Sequence, residues 1–517
     1  MRTLRPLIVC VSGAIFVTPV GSAFGQSVLY VDATRLDGLN DGSSWNDAFL
    51  DLQDAMDNAA TNGLVTEVRV AGGVYRPDRG TGDRSLSFRL MSGLALRGGY
   101  AGADAPDPQV RDFSAHPSVL CGDLFGDDDT IGNTENAFHV VEAGGVNATA
   151  VLDGFVARGG NADGTAPYPS GGGLRNAGGR PTVTNCKFID NAAAQDGGAV
   201  YNGGGGATAS FTDCVFLGNS AGSRGGAVFN DNTGSAGTRV LLSGCLLSEN
   251  AAFDGGALYQ FGGGVAVLGC TFESNVASAE GGAAFNFTSE ASYQQCRFRA
   301  NSASDGGAMR NSSSRPVLVR CTFVANTALD DGGAVFNQSA GASITHCAFV
   351  GNLAAGDGGA VWSFNTLAFP VRNCTFSGNV AGLRGGALYN WGTVGGGSGP
   401  QVASCILWDN RDSGGPDESG QMHTDRGSPT LDYSCLQGFG GTWGGPGNIG
   451  ANPRLLPDGI HLRTFSPCID RGDPMLVFPG DETDLDGEPR VYRGRVDMGA
   501  DEAAPPLPPP SSLQPIE

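Results

Sequence analysis

Through the middle of the chain, apolar residues come in runs of two or three, with a fixed set of polar and glycine positions between them. Cys186-Lys187-Phe188-Ile189-Asp190-Asn191 is followed by Gly197-Gly198-Ala199-Val200-Tyr201-Asn202. The same order returns from Cys214, Cys245, Cys270, Cys296, Cys321, Cys347 and Cys374. Cys405-Ile406-Leu407-Trp408-Asp409-Asn410 adds a half-copy without Gly-Gly-Ala. Successive cysteines of this series stand 25 to 31 residues apart. Such short runs carry no 3.6-residue period, so they predict strands and not helices. A unit of this length cannot enclose a core alone, so the copies must stack.

Three strands can be read in each unit. The first carries the Cys and, two positions on, a Phe or Leu on the same face. The second follows Gly-Gly-Ala, starting at Val200, Val228, Leu258, Ala284, Met309, Val335, Val361 or Leu388. The third is marked by an apolar residue three positions before each Cys, from Val183 to Val402. The predicted fold is all-β, a right-handed parallel β-helix: a single-stranded solenoid with three strands per rung. The asparagines from Asn191 to Asn379 that follow Phe-x-x or Leu-x-x are predicted at corners, because Asn tolerates the left-handed conformation. Stacked asparagines can also bond along the axis as a ladder. Loss of one central amide, as in Asn301→Ala, is expected to cost about 1–3 kcal/mol. The terminal Asn410 is expected to matter less. Each Gly-Gly pair supplies positive φ and close backbone approach.

Nine cysteines take one equivalent position on successive rungs, which stacks their Cα atoms at roughly 4.8 Å. That spacing lies within disulfide range, but parallel Cβ vectors disfavour the torsion a disulfide needs. An interior thiol ladder of small apolar side chains is the expectation, although an exported compartment permits oxidation. The pattern alone gives no reason for Cys over Val or Ala.

The ends differ from the middle. Arg2 and Arg5 precede an apolar stretch from Leu7 to Val20, and Ser22-Ala23-Phe24-Gly25 offers a cleavage site, so residues 1–25 read as a signal peptide. Residues 26–150 read as an N-terminal cap with early irregular rungs at Val68 to Tyr75, Leu94 to Tyr100 and Phe138 to Val141. A capping helix is predicted from Ser43-Ser44, with Trp45, Phe49, Leu52 and Met56 on one face covering the open first rung. Residues 151–410 are the regular repeats, 411–502 the last rungs and a C-terminal region, and 503–517 a Pro-rich tail. No segment of the mature chain is long and apolar enough for a transmembrane helix.

The Gly-Gly-Ala-aliphatic and Phe-x-x-Asn elements resemble the polymorphic outer membrane protein repeat of bacterial surface β-helices over roughly residues 150–410. That resemblance implies the fold of the pectin lyase superfamily. Tyr30 to Pro77 resembles the usual opening of exported bacterial β-helix proteins. Three C-terminal stretches resemble the choice-of-anchor Q domain found on bacterial surface β-helices. They are Ser466 to Gly472, Asp484 to Arg490 and Val496 to Glu502. These likenesses imply an exported protein at a bacterial cell surface, and they fix fold better than chemistry.

Charge narrows the partners. Removing Arg2 and Arg5 leaves 29 basic against 52 acidic side chains, a field that repels nucleic acid and anionic lipid. The polygalacturonase set of Asn-Thr-Asp, Asp-Asp, Gly-His-Gly and Arg-Ile-Lys does not occur in order, and the pectate lyase signatures are absent. The single lysine, Lys187, leaves little room for a lysine base, and the five histidines show no metal spacing. No catalytic residue is assigned, and no cofactor is required. Two acidic turns partly resemble an oxygen-ligand Ca²⁺ loop, although a solvated turn is the default reading of both. One holds Asp123, Asp127, Asp128 and Asp129; the other holds Asp481, Asp484, Asp486 and Glu488.

One column points to a partner. The residues after the aliphatics of the second strand are Tyr201, Phe229, Tyr259, Phe285, Arg310, Phe336, Trp362 and Tyr389. If the aliphatics face in, alternation places these outside as an aromatic stripe suited to an extracellular glycan or protein surface. Reversing the strand puts Ala and the aromatics inside, and both arrangements remain open at this point. The functional expectation is an adhesive, glycan-binding or structural surface β-helix. The alternative is a polysaccharide lyase or glycoside hydrolase acting on acidic polysaccharide.

Overall fold

A computed structural model describes residues 27–233, 239–392, 398–476, 482–492 and 494–503. The expected signal peptide, the tail beyond Ala503 and Asp481 therefore lie outside the described residues. The chain winds as a right-handed parallel β-helix in which the rung-to-rung strand pairings are all parallel. One rung shows the order. Thr182–Thr184 lies in sheet 1, Lys187–Ile189 in sheet 2, Ala192–Ala193 in sheet 3 and Val200–Gly203 in sheet 4. Sheets 1, 2, 3 and 4 hold 14, 13, 9 and 12 strands among the described residues.

The rung thus has four strands where three were expected. Sheet 3 is only two residues wide at most rungs, a polar-or-small residue followed by a buried Ala such as Ala193, Ala221 or Ala303. Two residues give period-two alternation too little length to be recognised in the sequence.

The corners also differ from expectation. The left-handed residue is the one before each Asn, from Asp190 (φ 52°) to Asp409 (φ 58°). A second left-handed residue precedes each Cys, from Asn185 (φ 53°) to Ser404 (φ 55°). Turning the chain at that preceding residue aims the Asn side chain inward. The two glycines of each pair divide the expected roles. Gly197 has φ 65°, whereas a Cβ on Gly198 would meet Ser220 O at 2.3 Å and Gly226 O at 2.4 Å.

Asn191 to Asn410 are 0–1% exposed and form a continuous ladder. Asn219 illustrates a rung. Its Nδ2 donates to Phe188 O (3.0 Å) behind and to Asn250 Oδ1 (3.0 Å) ahead. Its Oδ1 accepts from the backbone N–H (3.1 Å) and Nδ2 (3.0 Å) of Asn191. All four hydrogen-bonding positions are filled, which removes the desolvation cost of burying an amide. At the far end Gln421, in the short helix Glu418–Gln421, takes the place of a tenth Asn. Its Oε1 accepts from Asn410 Nδ2 at 2.8 Å.

The cysteines form a weaker version of the same device. All twelve described cysteines are buried and free. The thiol of Cys374 donates to Arg372 O (3.0 Å) and its backbone N–H donates to Cys405 Sγ (3.4 Å). The Cys405 N–H donates in turn to Ser434 Oγ (3.0 Å), which ends the ladder. A thiol can both donate and accept at this corner, which Val or Ala cannot. Burial pushes the Cys186 thiol up to about 12, so that first thiol of the line stays protonated. Beside it Phe272, Phe298, Phe323, Phe349 and Phe376 stack face to face at 4.7–4.8 Å.

The N-terminal cap is shifted along the chain. Helix α1 spans Leu52–Thr61, with Asp51 Oδ1 accepting from Gln53 N–H at 2.7 Å as its N-cap. Phe49 cannot join it, because its backbone pairs with Tyr30 and Asp32 of the first turn. Phe49, Leu52 and Met56 still enter the main core, whereas Trp45 lies in a separate cluster with Ala71 and Tyr100. At the other end Phe439 and Trp443 pack on the last core residues.

The described residues between 453 and 503 fold back onto the outer face of sheet 2. Gly499 N–H donates to Ser404 O (2.9 Å), Ala500 N–H to Thr375 Oγ1 (3.0 Å) and Asp473 N–H to Ser404 Oγ (2.8 Å). Ala348, Thr375 and Ile406 are consequently fully buried, although the equivalent Arg297 is exposed. Arg490, itself buried, anchors this layer by donating to Asp497 O and Gly499 O and pairing with Glu502 at 3.5 Å.

Because Gln421 gives Asn410 the same partners as a central Asn, the expectation for the terminal position changes. Asn301→Ala and Asn410→Ala should each lower unfolding free energy by about 1–3 kcal/mol in denaturant titrations. Equal midpoints for wild type and both variants would mean that the amides are mere turn formers.

Candidate functional site

Alternation in sheet 4 decides the direction of the aromatic column. Val200, Val228 and Leu258 belong to the interior core, as does Val335, while the next residues form clusters of their own outside it. The column therefore faces outward. Tyr201, Phe229, Tyr259 and Phe285 stack at 4.8–5.7 Å. Phe336, Trp362 and Tyr389 stack at 4.1 and 6.2 Å, and His423 extends the line at 5.7 Å from Tyr389.

Most of this column is nevertheless covered. From Phe229 to Tyr389 its members are only 1–8% exposed, because two further columns flank it. Two residues on, the same strands present Phe261, Phe287, Phe364 and Trp391, which are half-buried and pack on the first column. Phe261 and Phe287 lie 5.4 Å apart, and Phe364 and Trp391 lie 6.4 Å apart. On the other side, the residue before each Gly-Gly pair is charged. Asp196, Arg224, Asp254, Glu280, Asp305, Asp331, Asp357 and Arg384 follow one another up the solenoid.

The ends of the charged column are neutralised and its middle is not. Arg224 makes a two-point pair with Asp196 at 2.8 and 2.9 Å and lies 4.6 Å over the Phe229 ring. Arg384 does the same with Asp357 at 3.0 and 2.7 Å and lies 4.8 Å over Tyr389. Between them stand Asp254, Glu280, Asp305 and Asp331 with one further guanidinium, Arg310; the charges of Arg224 and Arg310 both act on Asp254, and that of Arg310 on Asp305. Arg310 interrupts the aromatic column, pairs with Glu280 at 3.2 Å and lies 3.8 Å over Phe336. Burial, then the charge of Glu280, raises the Asp254 carboxyl to about 6. Burial, then the charges of Asp330 and Asp357, does the same for Asp331. Backbone N–H groups of the next rung compensate in part, Asp331 donating to Asp305 and Asp357 donating to Asp331.

The acidic turns fare differently. Asp484 Oδ1 accepts from the N–H groups of Asp486 and Glu488, and its Oδ2 accepts from Glu502 N–H. Asp486 turns instead to His461, which also meets Asp458; both contacts are 2.7 Å. Burial alone would lower the His461 pKa, but these two carboxylates outweigh it and raise it to about 9. One ligand atom each of His461, Asp486 and Asp501 lies within 4.8 Å of the others. In the other turn, Asp123 and Asp128 converge with Glu135, while Asp129 is exposed away from them.

The flanking columns and Glu135 were missed in the sequence. Aligning the repeats column by column would have found the first two, since each occupies one fixed offset from Gly-Gly. Glu135 sits in an unrepeated loop and gives no such signal.

His461 carries a pH prediction. Its folded pKa exceeds the unfolded value of about 6.5, so its stabilisation is fully present below pH 6.5 and is lost as pH rises through 9. Thermal unfolding of the full chain should show this loss, and His461→Gln should flatten it. An unchanged slope in the variant would remove His461 as the cause.

A family model described as a right-handed β-helix region matches residues 223–398. No curated protein matches the chain.

Proposed function

We propose that the protein is exported to a bacterial surface and binds glycan chains along the outer face of sheet 4. The β-helix fold is compatible with surface or structural roles and with polysaccharide-acting enzymes. Glycan contact is favoured by one observation. Half-exposed rings lie along a rigid sheet, and across the covered first column runs a column of carboxylates and guanidinium groups that sugar hydroxyls can bond. Apolar sugar faces stack on rings, and hydroxyls donate to carboxylates. Four carboxylates against one guanidinium in the middle of the charged column disfavour an anionic chain, so the ligand is a neutral polysaccharide. The covered first column serves as a rigid bed that holds Phe261, Phe287, Phe364 and Trp391 in place. Among the described residues no helix is long and apolar enough to cross a membrane.

A hydrolytic reading has one observation in its favour. Asp254 and Asp331 stay protonated to about pH 6, as a general acid requires, beside carboxylates on adjacent rungs.

One experiment addresses both. The mature chain is run through gels containing neutral or uronate-rich polysaccharides, and the supernatants are assayed for reducing and unsaturated ends. Retention by a neutral polysaccharide is expected, weakened roughly two- to tenfold by Trp391→Ala or Phe364→Ala, which each remove about 0.5–1.5 kcal/mol of ring stacking. No retention by any glycan, or unchanged retention in both variants, overturns the binding face. New chain ends that disappear in Asp254→Asn or Asp331→Asn would replace binding with hydrolysis.

A further inference from the structure

The loop between the early sheet 2 strand Ser118–Cys121 and the sheet 4 strand Val141–Glu142 gathers acidic oxygens, four of which are buried without a hydrogen-bond donor. One oxygen each of Asp123, Asp128 and Glu135 lies within 4.8 Å of the others. Both carboxylate oxygens of Glu135 are sealed from solvent without a hydrogen-bond donor, and so are Oδ1 of Asp127 and Oδ1 of Asp128. Asn136 reaches into the same cluster and is fully buried. Its Nδ2 donates to Asp128 Oδ2 (3.2 Å) and Gly159 O (2.7 Å), which leaves Oδ1 with no partner.

Physical chemistry leaves few ways to hold such a group. Buried carboxylate oxygens without donors cost far more than exposed ones, and like charges this close repel. Arg158 acts on Asp128, but apart from its own backbone the groups acting on Glu135 are the carboxylates Asp127 and Asp128. Arg76 directs its Nε to the backbone oxygen of Asp123 and not to the carboxylate. The donors are all carboxylate or amide oxygens, with no imidazole or thiol, which selects a hard cation over a transition metal. Several carboxylates on a short irregular loop suit the flexible geometry of Ca²⁺ better than the strict octahedron of Mg²⁺.

We infer that Asp123, Asp128, Glu135 and the Asn136 side-chain oxygen form a Ca²⁺ site that pins this loop to the early rungs. Asp123 also shapes the turn by accepting from the N–H groups of Gly126 and Asp127. Asp129, exposed and outside the converging group, takes no part. The site lies outside the outer-face columns and does not depend on glycan binding.

The full mature chain is freed of metal with a chelator and titrated with CaCl₂ or MgCl₂ alone by calorimetry, with thermal unfolding recorded at each concentration. One Ca²⁺ per chain is expected, at an affinity of about 10⁻⁴–10⁻³ M or tighter, with a melting temperature that rises with Ca²⁺ concentration. Glu135→Gln should weaken binding by at least about tenfold, while Asp129→Asn should leave it unchanged. Should Glu135→Gln misfold, the wild-type melting response to Ca²⁺ against Mg²⁺ still decides. No heat and no melting shift up to about 10 mM Ca²⁺, or equal binding in Glu135→Gln and Asp129→Asn, overturns the site.

Discussion

A buried side-chain amide tolerates burial only when its two hydrogens and its oxygen lone pairs all find partners. In this solenoid each Asn of the ladder finds them in the rung behind and the rung ahead, and nowhere else. That requirement fixes the register, because a strand slipped by one residue would break four bonds at once and turn the core side chains outward. It also explains why both ends carry substitutes. Gln421 completes the Asn line and Ser434 completes the Cys line, so neither ladder ends on an unpaired group.

With the interior fixed in this way, variation is pushed to the outer faces. Sheet 2 is covered over its last rungs by the described residues between 453 and 503, which hide Thr375 and Ile406. Sheet 4 keeps its outer surface and stacks aromatic and charged columns there. The interior Asn column of the same strands ties the sheet down from within, as Asn286 does to Asn311 and Asn311 to Asn337 at 2.9 Å. A rigid ladder beneath and repeating side chains above give an even platform along the axis, a geometry suited to a ligand that is itself a repeating chain.

The repeat was legible because one column of Cys, one of Asn and one of Gly-Gly recur in step. From them followed the rung, the inward line of Cys186 to Cys405 and the buried Asn ladder. Sheet 3 escaped because two residues such as Ala192–Ala193 carry no visible period. The left-handed residues escaped because that column mixes Asp190, Gly218, Glu249, Ser274 and Ala300, and only the hydrogen-bonding of the next residue explains it. The helix start was misplaced because Phe49, apolar at a helical spacing, is held extended by pairing with the first strand. For the site, the first aromatic column could be read but its direction could not. Direction depends on which alternate residue meets the core, and Ala and Tyr compete for that place on composition alone.

The central claim is that neighbouring amides stabilise the stack jointly, through the bond from Asn301 Nδ2 to Asn326 Oδ1 at 3.0 Å. A double-mutant cycle on Asn301→Ala and Asn326→Ala, read from denaturant unfolding of the full chain, measures that coupling directly. The account predicts a loss in the double variant smaller than the sum of the single losses, with a coupling of about 0.5–3 kcal/mol. Strictly additive losses would contradict it, and would mean that each amide serves only its own corner.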